Sequence, residues 1–397
     1  MMKATPARRD FLKKMGLTGL PFLIPSMPLW AAPEVPYQQA QIGDKDYMVN
    51  FALDGKFYSP QGYLRKLQEI NTGLEIGEDM YYEGGATAKL EALFARITGK
   101  EKAVYLPTGT MANQIAASLL SDDTAKILVP ENSHMFRDEA DAAQRIHHKR
   151  LVPYGGADRV ATLEDLKIAE AHTLEGEVFQ SGLKTVVVEH PVRRAHGRVV
   201  PFEELKKISD YCREKGYKMH LDGARLHLAS VYTGIPVGDY AALFDTVYIS
   251  LYKYLNAGGG AILCGEAALM EKVKHQMKVL GGTMWQSWYN TAMALHYVEG
   301  IVERWQQLVK KGARLVEELN TIEGLRITAL DGGTNMYQLE TGSREMGDRL
   351  VANLINNDQL YLQSPDENGR IWLYMNESTL EIPNEELLKA FKRAWIS

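Results

Sequence analysis

Short apolar runs alternate with longer amphipathic or polar stretches along most of the chain. Runs at 103–106, 127–130, 151–153, 185–189, 217–221 and 246–250 read as buried strands. Residues 61–72 and 110–120 read as helices with few breakers, and Gly258-Gly-Gly-Ala-Ile-Leu-Cys-Gly265 reads as another strand entered through a flexible turn. Such alternation predicts an α/β domain on a mainly parallel sheet. From about 296 to 318 the pattern predicts one long polar helix leading into a smaller C-terminal α+β lobe. The organisation expected is an arm over 32–84, a large domain over 85–295, and a linking helix with a small domain over 296–397. Open α/β sheets bind ligands outside the C-terminal ends of their strands, so the chemistry should lie there.

Two strand ends stand out. Met219-His-Leu-Asp-Gly-Ala-Arg225 ends an apolar run in an acid, and Ile249-Ser-Leu-Tyr-Lys253 follows the next run with a lysine. That pairing suits an enzyme of pyridoxal phosphate (PLP). Lys253 would form the Schiff base, and Asp222 would keep the pyridine nitrogen protonated so that the ring accepts an electron pair. Upstream, Thr108-Gly109-Thr110 separates a short apolar strand from a helix. Hydroxyls and free N–H groups at a helix N-terminus, with the helix dipole behind them, make a phosphate cradle.

Composition narrows the class. The 397 residues are 45% hydrophobic and 24% charged with a formal net charge of −5, which gives no electrostatic footprint for nucleic acid. Cys212 and Cys264 read as small core residues, and no zinc-ligand spacing is present, so no metal site is expected. The N-terminus differs from the rest. Arg8-Arg9-Asp-Phe-Leu-Lys-Lys14, a modest apolar stretch to Trp30 and then Ala31-Ala32 resemble a twin-arginine export signal. The apolar stretch carries three prolines and two glycines, a poor membrane span, so no stable membrane insertion is expected. Cleavage near Ala31 would remove residues carrying +4 and leave a mature protein of −9 in the periplasm. Export of an already folded chain suits an enzyme that takes up its cofactor in the cytoplasm.

From about residue 48 to 395 the chain resembles the threonine aldolase and β-eliminating lyase family of fold-type I PLP enzymes. Gly77-Glu-Asp-Met-Tyr81 resembles the segment near the cofactor and dimer interface, which implies a substrate-binding role for Tyr81, and Leu106-Pro-Thr-Gly-Thr-Met-Ala-Asn113 the phosphate turn. The resemblance implies that His134 stacks on the pyridine face, that Asp222 is the pyridine-nitrogen acid, and that Arg225 lies near the phenolic oxygen. It also makes Lys253 the Schiff-base lysine, and Arg370, from the small lobe, the group that grips the substrate carboxylate, a task suited to a bidentate guanidinium. It further implies an amino-acid substrate and a homodimer or homotetramer, since such sites are commonly completed by a second subunit.

Departures from the family pattern bear on the substrate. Glu189-His190-Pro191-Val192-Arg193 stands where the threonine aldolases have Glu-Asn-Thr-His-Asn, so the histidine that meets the substrate hydroxyl becomes Val192. Tyr252 precedes the lysine where the family has serine, and Trp285 replaces an arginine. The leading expectation is retro-aldol cleavage of a β-hydroxy-α-amino acid to glycine and an aldehyde. Alternatives are β-elimination or another PLP reaction, or a PLP-fold protein without turnover. The proton acceptor is open among His134, His190 and His196.

Overall fold

The computed structural model describes residues 45–73 and 76–396; the predicted export signal lies outside them. Two short strands open the described chain, β1 (Tyr47–Asn50) and β2 (Phe57–Tyr58). The centre is a seven-stranded sheet of β3 (Lys102–Leu106), β4 (Lys126–Pro130), β5 (Arg150–Tyr154), β6 (Leu183–Glu189), β7 (Lys218–Asp222), β8 (Thr246–Ser250) and β9 (Ala261–Gly265), in the order β3-β9-β8-β7-β6-β4-β5. The expected apolar runs became these strands. Every residue of β4, β8 and β9 is buried, which is why they read as continuous apolar segments rather than alternating ones. Strand β9 pairs antiparallel with both neighbours, while β4 through β8 pair in parallel. The helices expected at 61–72 and 110–120 span Pro60–Gly73 and Gly109–Ser121.

A second apolar core is formed by the C-terminal part of the chain with Val49 and Phe51 of the arm. It packs on the sheet of β10 (Arg326–Ala329), β11 (Met336–Glu340) and β13 (Arg370–Tyr374), while β12 (Leu360–Tyr361) pairs with β1. Cys212 and Cys264 are buried and free. Among the described residues no helix is long and apolar enough to cross a membrane.

One element differs from the sequence expectation. The single helix over 296–318 is two, Trp288–Val298 and Ile301–Leu319. Gly300 adopts φ 63°, a left-handed conformation that interrupts the helical path. Arg304 donates to the carbonyls of Tyr297 and Glu299, capping the first helix from the second.

The arm is tied down by amides. Asn50, fully buried, accepts the N–H groups of Ala52 at 3.2 Å and Leu53 at 2.8 Å. Asn376 donates to the carbonyls of Asn50 at 2.9 Å and Leu53 at 2.8 Å. These bonds fix the turn that carries Asp54 toward the C-terminal edge of the central sheet.

Candidate active site

That edge holds the chemistry. Asp222 ends β7, Glu189 ends β6 beside it in register, and Lys253 follows β8 by three residues. Thr108 follows β3 and His134 follows β4 in the same way. A cavity of about 350 Å³ opens between them, lined by Thr108, Gly109, Thr110, His134, Asp222, Arg225 and Lys253 among others. Seven residues expected from the sequence therefore meet in one place, although they span about 145 positions.

The turn at 108–110 is shaped for an anion. Thr108 caps the helix Gly109–Ser121, its hydroxyl oxygen accepting the N–H of Met111 at 3.2 Å, which leaves its O–H free to donate outward. The first N–H groups of a helix have no acceptor within it. A Cβ on Gly109 would stand 2.0 Å from the Tyr248 hydroxyl, so only glycine fits between that ring and the cavity. A glycine packed against that ring, a free hydroxyl and the helix N-terminus together fit the phosphate of PLP.

Asp222 is held as an acceptor. Its Oδ2 takes the Asn113 amide at 2.9 Å and its Oδ1 the N–H of Ala224 at 3.2 Å. Asn113 also donates to Glu139 Oε1 at 2.8 Å and accepts from His220 Nε2 at 3.0 Å, and His220 Nδ1 meets Thr246 at 2.8 Å. Burial pushes His220 down to about 4, so it is a neutral ring with one donor and one acceptor nitrogen. The chain Thr246–His220–Asn113–Asp222 thus orients the carboxylate from behind.

His134 shares this network. Its Nδ1 lies 3.0 Å from Glu139 Oε1, and its backbone N–H donates to Glu189 Oε2 at 2.6 Å. Burial alone would lower the ring, but the hydrogen bond to Glu139 and the charge of Asp222 raise it above the ordinary histidine value. With Nδ1–H given to Glu139, Nε2 remains the acceptor. Burial holds Glu139 and Glu189 above the usual carboxylate range. Among the described residues His134, Glu139 and Asp222 form the one group close enough to share a metal ion, but their hydrogen bonds to each other and to Asn113 already account for the arrangement.

Arg225 lines the cavity while its Nε and Nη2 grip the buried Asp54 at 2.8–3.1 Å, the guanidinium itself largely shielded from solvent. Lys253 is pushed down to about 8, chiefly by burial and then by the Arg225 charge, partly offset by Asp222, Asp54 and Glu189.

Arg370 and Tyr81 do not line the cavity. Arg370 begins β13 on its exposed side and pairs with Asp366 at 2.7 Å. Tyr374, four residues on and on the same face, is the residue of β13 that feels Asp54, Arg225 and Arg193. Four residues of strand separate the two by roughly 13 Å. Tyr81 is exposed and packs edge-on against Trp285 at 5.0 Å. Of the three candidate proton acceptors only His134 faces the cavity. His190 is fully buried, accepts the N–H of Val200 at 3.1 Å and is pushed down to about 3, whereas His196 stacks on Trp372 at 3.8 Å. Asn113, Glu139, Glu189, His220 and Asp54 escaped the sequence reading. Glu189 and His220 carried a signal, adjoining strand ends already singled out; Asp54, in an Asp-Gly pair typical of turns, carried none.

In cofactor-free protein, Lys253 should react with an amine-directed reagent half-maximally near pH 8, because a lowered pKa exposes the neutral amine at lower pH than the 10.5 of an ordinary lysine. Mass-spectrometric labelling across pH measures this, and a midpoint near 10.5 would contradict it.

The chain matches the family described as Beta-eliminating lyase over residues 64–341. It is 34% identical over 226 residues to a low-specificity L-threonine aldolase of Candida albicans, covering 56% of this chain and 60% of that one. Low-specificity L-threonine aldolase 1 of Arabidopsis thaliana is 28% identical over 336 residues, 83% of this chain and 93% of the relative. Among solved structures, a candidate L-allo-threonine aldolase from Listeria monocytogenes EGD-E superposes with a TM-score of 0.74 at 25% identity, covering 90% of this chain and 99% of that one. The fold is that of fold-type I PLP enzymes, and by the extent of the family match this chain belongs to the Beta-eliminating lyase family.

Proposed function

We propose that this protein is a PLP-dependent carbon–carbon lyase that cleaves a β-hydroxy-α-amino acid to glycine and an aldehyde. The observation that carries this reading is the convergence of Lys253, Asp222, His134 and the 108–110 turn on one cavity. When bound, PLP supplies the electron sink that lets a bond to the amino-acid α-carbon break. Lys253 would hold it covalently, Thr108, Gly109 and Thr110 would bind its phosphate, and Asp222 would keep a proton on the pyridine nitrogen.

His134 supplies the remaining requirement. Retro-aldol cleavage needs the substrate hydroxyl to lose its proton, and Val192 cannot accept one. His134 Nε2 can, and Glu139 on the other ring nitrogen makes the ring more basic. Elimination of a β-substituent is the second reading. It is favoured by Val192, which is buried in the core and gives the cavity no reader for a hydroxyl.

The mature chain would act in the periplasm after twin-arginine export, as a homodimer or homotetramer. Exposed Met80, Tyr81 and Trp285 support a role for that surface in assembly.

Purified protein incubated with a panel of amino acids should release glycine from a β-hydroxy substrate, and His134→Phe should keep the cofactor but lose at least about tenfold in rate. Ammonia with a 2-oxo acid would favour elimination, and no product despite bound PLP would leave only a scaffold. Replacing Arg8 and Arg9 by lysine should trap cofactor-loaded precursor in the cytoplasm; cell fractionation showing undiminished periplasmic protein would contradict the export reading.

A further inference from the structure

The cavity lining includes an arginine whose guanidinium has no full partner among the described residues. Arg193 lines it, and the backbone N–H of Arg193 donates to Glu189 Oε1 at 2.8 Å, which seats the residue at the cavity wall. Among the described residues its side chain makes one polar contact, Nη1 to Asp138 Oδ2 at 3.4 Å. That carboxylate is already taken. Arg194 addresses both of its oxygens, through Nε at 3.1 Å and Nη2 at 2.5 Å. Arg193, a residue of the cavity lining, is therefore left with a long, single-point bond and guanidinium donors that no other described residue takes.

The other lining charges are accounted for. Arg225 is matched by Asp54, and Glu189 by the N–H groups of His134 and Arg193. In the proposed enzyme, Lys253 would hold the cofactor and Asp222 would face the pyridine nitrogen. One positive charge remains, within electrostatic reach of Tyr252, Tyr374 and Asp54. Arg370, by contrast, is tied to Asp366 at the far end of β13. We propose that Arg193, from the substituted 189–193 loop, holds the α-carboxylate of the amino-acid substrate in place of Arg370. A carboxylate arriving there can take two parallel N–H bonds, which the monodentate contact to Asp138 does not offer. The same substitution thus removes a hydroxyl-facing histidine and adds, at the next residue, a carboxylate-binding arginine.

This assignment rests on the functional reading above, and the test separates the two. Full-length PLP-loaded protein is titrated with glycine and with glycinamide, which lacks the carboxylate, following the cofactor absorbance band. In Arg193→Gln the glycine Kd should rise about 10- to 100-fold, the effect of losing hydrogen bonds to a charged group, while that for glycinamide changes less than about threefold. Arg193→Lys should lose less, since charge remains without the fork, and carries the test if the glutamine variant does not fold. Arg370→Gln should leave the ratio of the two constants unchanged. An unchanged ratio in the Arg193 variants, or a collapsed ratio in Arg370→Gln, overturns the assignment alone. Absence of the cofactor band in the wild-type chain overturns the functional reading and the assignment together.

Discussion

Asp222 imposes the constraint on which the rest of the site depends. A carboxylate 2% exposed at a strand end is costly to bury unless its oxygens are met by donors. Asn113 and the Ala224 N–H meet them, and Asn113 can do so only because His220 and Glu139 take its other polar atoms. Glu139 in turn sets the tautomer of His134. A requirement to hold one acid in a fixed direction therefore propagates to the ring that would face the substrate. Burial, with the charge of Asp222 nearby, raises Glu139 and Glu189, while burial and the Arg225 charge bring Lys253 down to about 8 against the opposing pull of the carboxylates.

What the sequence made legible was local. Strand ends, a helix start and a lysine after an apolar run are written in consecutive residues, and they located five cavity residues, Thr108, Gly109, Thr110, Asp222 and Lys253, while His134 and Arg225 came from the family resemblance. Partners chosen by tertiary packing were not legible. Asp54 reaches Arg225 across 171 positions, and Asn113 reaches Asp222 across 109. The helix break at Gly300 was missed because one glycine in a polar helical pattern is often tolerated; here its left-handed φ ends the run. The antiparallel course of β9 was hidden for a related reason, since a strand buried on both faces reads the same in either direction.

The 189–193 loop shows how a family site changes without losing its cofactor apparatus. Val192 turns into the core, and Arg193 turns to the cavity beside an acid already shared with Arg194. Neither change touches the Asp222 network or the phosphate turn. In the proposed enzyme, binding of PLP and choice of substrate would thus rest on different elements, the first on the ends of β3, β7 and β8 and the second on the loop after β6. Such a division lets substrate preference drift while the electron sink stays in place.

The central claim is that Asp222 is held where it can keep the pyridine nitrogen of bound PLP protonated. Replacing it by asparagine preserves shape and one of the two acceptor oxygens but removes the negative charge. Cofactor content and turnover measured together in Asp222→Asn test this directly. The account predicts near-stoichiometric PLP with turnover reduced by at least about 100-fold, in line with the loss of a charge that stabilises a developing carbanion. Full turnover in a cofactor-loaded Asp222→Asn variant would contradict it.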